Sequence, residues 1–501
     1  MTTDRPIDLD ALTLEDVLAG GLRGRPVTVL GFARSGIALA RFFADAGADV
    51  TIYDGRPLAD LADAVAAVEA RRVRIMTGPE VDPASALAGA ALVSTSPSIN
   101  PDYPTTEPRL RAALRMLVDR RTGGDRGAPA LVSEADLFLR LCPAPTIGVT
   151  GTKGKTTTSS LIAAILAADR DHPAVLGGNI GVPLVERLPD LTPEHRVVIE
   201  LSELQLPTLS RGTTVAVYTN VTSDHLDRHG SLENYRRAKR LLAELVDPDG
   251  ALVLNADDPV VAAYAGLGRA RTVFYRLGPP TSGGVGIEGE WIVGDGVGQI
   301  LPISELAIPG RHNVSNALAA VSVGLFFGID PDEIRRAAAG FTGVEHRLEP
   351  VAMIDGVRFV NDSQGTQPDA VAAALRAFEP PVVLIAGGRD KGVDLSELAP
   401  VVAERAAAAV LIGESGAELE RLFRAAGLSQ TVTASTLDEA VRRADGLARE
   451  RLAAGDPEPA TVLFSPAAAS FDMFVDYAAR GRAFKEAVGR LAADRRQGND
   501  G

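Results

Sequence analysis

The sequence predicts an α/β protein built from three successive domains. Short runs of β-branched and other apolar residues alternate with longer stretches rich in Ala, Leu and Arg, a pattern typical of parallel strands joined by crossover helices. The chain has 501 residues, which is more than one hydrophobic core usually serves. Three blocks of this pattern follow one another, and they predict domains at residues 1–143, 144–344 and 345–501. The default place for a binding site is then a cleft between domains.

Each block contains strands of the buried type. The first begins with VTVLGF (27–32) and continues with DVTIYD (49–54), and the second opens at TIGVTGT (146–152). The third carries VRFVND, PVVLIAGG, AAVLIGE and ATVLFSP, each followed by a helical pattern. Near the end of the second block, the glycine-rich stretch TSGGVGIEGEWIVGDGVGQ predicts hairpins or loops.

Composition and charge exclude several classes of protein. Hydrophobic residues make up 46% of the chain and charged residues 23%, and no apolar run reaches the roughly 20 residues that span a bilayer. A net charge of −14, without a basic stripe, disfavours binding to nucleic acid. The acidic N-terminus has no secretory pattern, and Cys142 is the only cysteine. We therefore expect a cytoplasmic protein with neither a membrane nor a nucleic-acid partner.

The strongest chemical signal is the strand, glycine turn and helix of TIGVTGTKGKTTTSSLIAAIL. Backbone N–H groups of such a turn surround a phosphate, Lys155 supplies a point charge, and Thr156 supplies a hydroxyl group for magnesium. The motif predicts a nucleoside triphosphate site, although Val149 stands where the usual loop has its first glycine. The loop residues are Gly151, Thr152, Lys153, Gly154, Lys155, Thr156 and Thr157.

Further polar residues follow strands of the second block. Asp224 and His225 come after VAVYTNV, in the region where parallel sheets place their ligands. With the phosphate loop in the same block and Glu200 in VVIELSE on a neighbouring strand end, this pair favours a second metal or phosphate site. Lys239 lies in YRRAKRLLAEL, where the helical pattern alone favours a solvated lysine. Only five residues of the chain are lysines, however, and a compact amine has uses that arginine does not.

The first block opens with a weak dinucleotide fingerprint. VTVLGFARSGIALARFFADAGADVTIYD has a strand, a glycine turn, a helix and a second strand that ends in an acid, but Ala33 replaces the middle glycine. The turn suits a diphosphate at a helix N-terminus, and Asp54 is spaced to reach a nucleotide ribose or base. This region alone leaves an NAD-binding domain and a degenerate Rossmann-like domain equally open.

Taken together, the motifs resemble those of the Mur ligase family. The shortened loop T-G-T-x-G-K-T-T is the form seen in Mur ligases and in folylpolyglutamate synthases. Segments similar to the family's middle domain are GGNIGVP (177–183), ELSELQL (200–206), NVTSDHLDR with its downstream lysine, and GRHNVSNALAA (310–320). Segments similar to its last domain are EHRLEPV (345–351), NDSQGTQPDA (361–370), AGGRDKGVD (386–394) and SPAAASFDMFVDYAARGRAF. The resemblance spans nearly the whole chain.

The resemblance implies an ATP- and Mg²⁺-dependent ligase of peptidoglycan precursor synthesis, which serves the cell wall, cell shape and cell division. It is closest to the members that add glutamate to UDP-N-acetylmuramoyl-L-alanine through an acyl phosphate. It implies a Rossmann-like first domain that holds UDP, a phosphate-loop middle domain with a mostly parallel sheet, and a Rossmann-like last domain that closes before reaction. The predicted function is D-glutamate addition by a monomer acting on small molecules. An L-glutamate ligase, a folylpolyglutamate synthase and an NAD-dependent oxidoreductase remain as alternatives.

The resemblance also implies roles for single residues. The implied catalytic residues are Lys155, Glu200, His225 and Lys239. The implied magnesium ligands are Thr156, Glu200, His225 and Lys239, whose amine would carry a carbamate. Beyond the loop, ATP is bound by Asn313, Arg347 and Asp362. The nucleotide-linked substrate is bound by Gly31, Arg34, Ser35, Asp54, Arg56, Asn179, Ser202 and Gln205. The incoming amino acid is bound by Thr366, Lys391, Ser470 and Tyr477.

One position of the third block departs from the family pattern. Gln364 stands where the family has a lysine that approaches the ATP phosphates. Glutamine carries no charge, so either one contact is lost or another cation supplies it. Arg389 and Lys391 are the nearest candidates by motif, and we predict that Arg389 compensates.

Overall fold

The chain forms three β-sheets, one in each block of the sequence. The structure is a computed structural model that describes residues 6–181, 183–222, 231–308, 310–389, 395–470, 473–474 and 476–499. It divides into two compact units, Met1–Phe341 and Thr342–Gly501. The first unit contains two of the sheets and the second unit contains the third. The α/β class with mostly parallel sheets is confirmed, whereas the domain boundary near residue 143 stays a prediction.

The first sheet has five parallel strands in the order β3-β2-β1-β4-β5. The strands are β1 Pro26–Leu30, β2 Asp49–Asp54, β3 Val73–Thr77, β4 Leu92–Thr95 and β5 Ala130–Ser133. The helices are α1 Leu14–Leu18, α2 Arg34–Asp45, α3 Ala62–Val68, α4 Pro83–Leu87, α5 Pro108–Thr122 and α6 Glu134–Leu141. Because the strand order reverses between β1 and β4, a ligand crevice is expected at the carboxyl ends of these two strands.

The second sheet has nine strands in the order β14-β13-β12-β11-β10-β9-β6-β8-β7. The strands are β6 Thr146–Thr150, β7 Ala174–Gly178, β8 Arg196–Glu200, β9 Val215–Tyr218, β10 Ala251–Asn255, β11 Arg271–Tyr275, β12 Val285–Glu288, β13 Trp291–Gly294 and β14 Gly298–Pro302. The helices are α7 Lys155–Leu166, α8 Leu232–Leu245, α9 Pro259–Ala262, α10 Arg311–Phe326 and α11 Pro331–Gly340. Strands β12 to β14 pair antiparallel, which confirms the hairpins predicted for the glycine-rich stretch.

The third sheet has six strands in the order β15-β16-β20-β17-β18-β19, all parallel except β15. The strands are β15 Glu349–Ile354, β16 Val357–Asn361, β17 Val382–Gly387, β18 Ala408–Ile412, β19 Thr431–Thr433 and β20 Ala460–Phe464. The helices are α12 Pro368–Arg376, α13 Leu398–Arg405, α14 Gly416–Ala425, α15 Leu437–Ala453 and α16 Tyr477–Asn499. Since β20 lies between β16 and β17, the loops that follow these three strands share one edge.

The predicted strands overrun the observed ones where a glycine turn follows. Strand β1 ends at Leu30, although the prediction continued to residue 32, because Gly31 turns the chain with a φ of 90°. Strand β6 likewise ends at Thr150, before Gly151 with a φ of 151°. Each of the two strands is therefore followed by a turn at the carboxyl edge of its sheet, where parallel sheets bind ligands.

Candidate active site

The loop between β6 and α7 has a backbone geometry that requires its glycines. A Cβ atom at Gly151 would lie 1.9 Å from Oγ1 of Thr219, and one at Gly154 would lie 2.7 Å from Oδ1 of Asn316. Gly154 also has a φ of 85° directly before the helix. The first backbone N–H groups of a helix have no acceptor within the helix. Those at the start of α7, directly after this turn, are therefore available to bind an anion.

Two lysine ammonium groups converge on this loop. Nζ of Lys155 donates to the carbonyl oxygen atoms of Gly151 at 3.0 Å and Thr152 at 3.1 Å. Nζ of Lys239 also donates to the Gly151 carbonyl, at 2.9 Å, and to Oγ1 of Thr150 at 3.1 Å. Two ammonium groups therefore share one carbonyl acceptor in this loop.

Lys239 is fully buried, which makes the solvated-lysine alternative wrong. Helix α8 buries Tyr235, Lys239 and Leu242 on one face, while Arg236 and Arg240 are exposed. The spacing of four and three residues is the helical period of a core-facing stripe. The position of Lys239 within such a stripe is the signal that could have predicted its burial from the sequence.

Glu200 ends β8, and its two carboxylate oxygen atoms differ in their surroundings. Its Oε1 accepts a hydrogen bond from Nδ2 of Asn179 at 2.9 Å, whereas its Oε2 is buried and has no partner among the described residues. A buried carboxylate oxygen requires a donor or a cation, and magnesium prefers such oxygen ligands. The Glu200 side chain is therefore suited to bind magnesium.

The rest of the predicted metal set is not tested by the geometry. Thr156 is buried in the first turn of α7, and His225 lies outside the described residues. Within the described ranges, no three His, Cys, Asp or Glu side chains come together as metal ligands. The set of Thr156, Glu200, His225 and Lys239 accordingly stays a prediction.

A cavity of about 610 Å³ opens at the crevice of the first sheet. Its lining includes Gly31, Asp54 and Arg56, three of the predicted substrate-binding residues. Arg56 donates to both carboxylate oxygen atoms of Asp54, at 3.0 and 2.8 Å, and the Phe32 N–H donates to Oδ2 at 2.8 Å. Burial works to raise the pKa of Asp54, but these hydrogen bonds hold it below its ordinary value. The cavity thus has a fixed anion and cation at its wall.

A chain of hydrogen bonds runs from the first sheet to the metal candidate. The guanidinium group of Arg34, at the start of α2, donates to the carbonyl oxygen atoms of Gly181 and Asn179. Asn179 in turn holds Glu200, through its side chain and through its backbone N–H at 2.9 Å. Three predicted residues that are far apart in the sequence are thereby brought together.

The remaining residues predicted for the first unit occupy nearby turns. Ser35 is half-buried in the first turn of α2. Ser202 donates from both its N–H and its hydroxyl group to Oε1 of Gln205, at 2.9 and 3.0 Å, directly after β8. Asn313 lies in the first turn of α10, where its Oδ1 accepts from Nδ2 of Asn316. Asn316 also accepts from Thr158 of α7, so Asn313 is tied to the phosphate-loop helix.

In the second unit, the loops after β16 and β20 are joined by buried hydrogen bonds. Asp362 accepts from the hydroxyl group of Ser465 at 2.6 Å and from the Leu348 N–H at 3.1 Å. Burial raises the pKa of Asp362 to about 6. The hydroxyl group of Ser363 donates to the carbonyl oxygen of Tyr477 at 2.7 Å. These contacts fix the edge that carries the predicted amino-acid residues.

Of the four residues predicted to bind the amino acid, three are described. Thr366 lies in the loop after β16, Ser470 is buried in the loop after β20, and Tyr477 begins α16. Lys391 lies outside the described residues. Arg389, which is predicted to substitute for the missing lysine, is exposed. Its backbone pairs with that of Ala469 in a single antiparallel β-bridge.

Comparison with known proteins decides the family. The family model described as the Mur ligase middle domain matches residues 149–324, and that described as Mur ligase, glutamate ligase domain, matches residues 346–468. The UDP-N-acetylmuramoylalanine–D-glutamate ligase of Symbiobacterium thermophilum is 39% identical over 483 residues, covering 95% of this chain and 100% of the relative. The chain belongs to the Mur ligase family.

Two further comparisons agree with this assignment. The enzyme of the same name from Pelotomaculum thermopropionicum is 38% identical, covering 93% of this chain and 97% of the relative. The crystal structure of UDP-N-acetylmuramate-alanine ligase from Thermotoga maritima has a TM-score of 0.53 at 20% identity, covering 93% of this chain and 99% of that one. The predicted family, fold and ligase class are confirmed. Within the described residues, no helix is long and apolar enough to cross a bilayer.

This Mur ligase has a buried carboxyl group that the sequence analysis missed. Glu134 begins α6 directly after β5 and is 4% exposed. Burial raises its pKa to about 7, while the Arg34 guanidinium and a hydrogen bond from the Val185 N–H act in the opposite direction. The signal in the sequence was the position of Glu134 directly after the carboxyl end of a strand. The same Ser-Glu pair is also what an ordinary helix N-terminus has, with Ser133 as the N-cap, so it did not distinguish Glu134.

The raised pKa of Glu134 makes folding stability depend on pH. The folded state binds more protons than the unfolded state between the unfolded pKa, about 4.3, and the folded value of about 7. Stability is therefore lost as pH rises through this window. We expect Glu134→Gln to stabilise the protein by up to about 3 kcal/mol at pH 8 and by much less at pH 5. Urea unfolding midpoints at both pH values provide the measurement, and an equal shift at both would show that the charge is not responsible.

Proposed function

We propose that this Mur ligase uses ATP to join D-glutamate to UDP-N-acetylmuramoyl-L-alanine in peptidoglycan precursor synthesis. The observation that carries the proposal is the full-length match to a D-glutamate ligase, at 39% identity over 95% of this chain. The phosphate loop, the buried Lys239 and the buried Oε2 of Glu200, which has no hydrogen-bond partner among the described residues, supply the groups that such a reaction needs.

The nucleotide-linked substrate is assigned to the first unit. Its diphosphate and uracil ends are assigned to the cavity with Gly31, Asp54 and Arg56 and to the adjacent turn with Arg34 and Ser35. Its sugar and peptide end extends toward Asn179, Ser202 and Gln205. The hydrogen bonds from Arg34 to Asn179 and from Asn179 to Glu200 connect these two ends, which supports one continuous binding path.

The phosphates of ATP are assigned to the loop of residues 151–157, with further contacts from Asn313, Arg347 and Asp362. Lys155 contributes a point charge next to the transferred phosphoryl group, and the loop N–H groups hold its oxygen atoms. Magnesium, held by Thr156, Glu200, His225 and carbamylated Lys239, would neutralise charge on the phosphates. The two lysine side chains that reach the Gly151 carbonyl support the assignment of the phosphates to this loop.

The chemistry has two balanced steps. An oxygen atom of the L-alanyl carboxylate attacks the γ-phosphorus, the bond to ADP breaks, and an acyl phosphate forms. The amine of D-glutamate then attacks the acyl carbon, loses a proton, and expels phosphate with that carboxylate oxygen. Thr366, Lys391, Ser470 and Tyr477 orient the amino acid, so that its amine is positioned rather than chemically activated.

We further propose that the enzyme acts as a cytoplasmic monomer on small molecules. Arg389 is proposed to supply the charge that Gln364 lacks at the ATP phosphates, in keeping with its exposed position beside the β20 loop.

A substrate panel tests the function. Phosphate release is measured with ATP, UDP-N-acetylmuramoyl-L-alanine and either D-glutamate, L-glutamate or D-alanine, and each component is omitted in turn. Release that requires all three components and D-glutamate supports the proposal. Preference for L-glutamate, or release with a folate in place of the nucleotide-linked substrate, identifies a different ligase.

A further inference from the structure

The backbone on both sides of Arg347 adopts a conformation that residues with side chains rarely take. His346 has a φ of 64° and Leu348 a φ of 43°. Such residues persist only where the surrounding structure fixes them, and they concentrate at functional sites. Arg347 itself is exposed between them. Contacts from two other elements hold this backbone in place.

Hydrogen bonds fix the segment from one side through β16 and the loop after it. The Gln364 N–H donates to the His346 carbonyl at 3.0 Å, and the Gln364 side-chain amide donates to the Glu345 carbonyl at 3.2 Å. The Leu348 N–H donates to Oδ1 of Asp362 at 3.1 Å. The glutamine that departs from the family pattern is thus bonded to the Arg347 segment.

Helix α16 holds the segment from the other side. Nζ of Lys485 donates to Oε1 of Glu345 at 2.6 Å and to Oε1 of Glu349 at 3.0 Å. The second oxygen of Glu349 accepts from the His346 N–H at 2.8 Å. One ammonium group therefore connects the two ends of residues 345–349 and, through Glu349, the strained residue before Arg347.

The helix also approaches the segment closely. A Cβ atom at Gly481, one turn before Lys485, would lie 2.3 Å from Nδ1 of His346. The imidazole ring packs on the helix backbone, is 3% exposed, and is hydrogen-bonded at Nδ1 by Asn361. Residues 345–349 are consequently held by contacts on two elements that are distant in the sequence.

We propose that Lys485 is a positioning residue that holds the strained segment 345–349 so that Arg347 is presented to the phosphates of ATP. The role rests on the proposed function, because it takes Arg347 as a nucleotide contact. Gln364 acts in the same way from the loop after β16. Lys485 needs no contact with any substrate for this role.

A double-mutant cycle with kinetics separates this role from a general effect on folding. The variants are Lys485→Met, Arg347→Met and the double variant, with Lys485→Arg as the charge-conserving change. The matched control is Arg490→Met, which removes another ion pair of α16, the 2.8 Å pair with Asp438, away from residues 345–349. The readouts are kcat and the Michaelis constants for ATP and D-glutamate, with thermal unfolding recorded for each variant.

We expect Lys485→Met to raise the Michaelis constant for ATP by about fivefold to tenfold, with that for D-glutamate changed by about twofold or less. Arg347→Met should raise it by about tenfold or more, and the double variant should be no worse than Arg347→Met. Lys485→Arg should recover most of the loss, and Arg490→Met should resemble the wild type.

The possible failures are distinct. If Arg347→Met leaves the Michaelis constant for ATP unchanged, Arg347 is not a nucleotide contact, and both its proposed role and the inference fail together. If Arg347→Met has its effect but Lys485→Met behaves like Arg490→Met, or its effect adds fully to that of Arg347→Met, the proposed function stands and the positioning role is wrong.

Discussion

Replacing Lys155 by alanine is expected to abolish phosphate release while leaving the fold intact. The Lys155 ammonium group donates to the carbonyl oxygen atoms of Gly151 and Thr152, within the loop that is proposed to hold the phosphates. Its loss removes a point charge from a site where charge develops, for which a decrease in kcat of about a thousandfold is typical. Released phosphate, measured at saturating substrate, provides the test.

The matched control for Lys155→Ala is Arg170→Ala. Arg170 is exposed beyond the carboxyl end of the same helix, α7. Its truncation removes a cation at the end of the helix away from the loop and leaves the loop unchanged. Both variants should unfold at nearly the wild-type temperature, and only Lys155→Ala should be inactive. Activity of Lys155→Ala within about tenfold of the wild type would show that the loop has been assigned wrongly.

Lys239→Ala is expected to lose activity to a similar extent, for a different reason. Lys239 is fully buried, with its amine directed at the Gly151 carbonyl and the Thr150 hydroxyl. On the carbamate hypothesis, the side chain supplies an anion for magnesium, so acetate or formate should partly restore the alanine variant. The expected loss is about a thousandfold, with measurable recovery at high carboxylate concentration.

Two further variants distinguish an anion from a structural contact at position 239. Lys239→Met keeps the length and apolar stem of the side chain, so it should fold well and remain inactive. Lys239→Arg should be as inactive as alanine, because a guanidinium group forms no carbamate. Full activity of Lys239→Arg, or no response of Lys239→Ala to small carboxylates, would contradict the carbamate hypothesis.

The sequence predicted the fold class well because its signals are local. Period-two and period-3.6 patterns, with glycines at turns, located β1, β2, β6 and the phosphate loop within two residues. The hairpins β12 to β14 followed from glycine density alone. By contrast, six strands were not predicted, because short strands beside longer patterns leave little periodic signal. They are β3, β5, β7, β11, β15 and β19.

The candidate site was predicted residue by residue, but its connections were not. The bonds from Arg34 to Asn179 and from Lys239 to Gly151 join residues 145 and 88 positions apart, and no local pattern records such pairs. Glu134 and Asn316 were missed because burial of a polar group depends on packing from other elements. The strained backbone beside Arg347 was missed because neither histidine nor leucine indicates a positive φ.

Isotope transfer tests the central claim most directly. UDP-N-acetylmuramoyl-L-alanine labelled with ¹⁸O at both oxygen atoms of its alanyl carboxylate is incubated with the enzyme, ATP, Mg²⁺ and D-glutamate, and both products are analysed by mass spectrometry. Activation of the carboxylate as an acyl phosphate predicts one ¹⁸O atom in each released phosphate and a nucleotide product enlarged by one glutamyl residue. Unlabelled phosphate, or phosphate released without the D-glutamyl product, would contradict the proposed reaction.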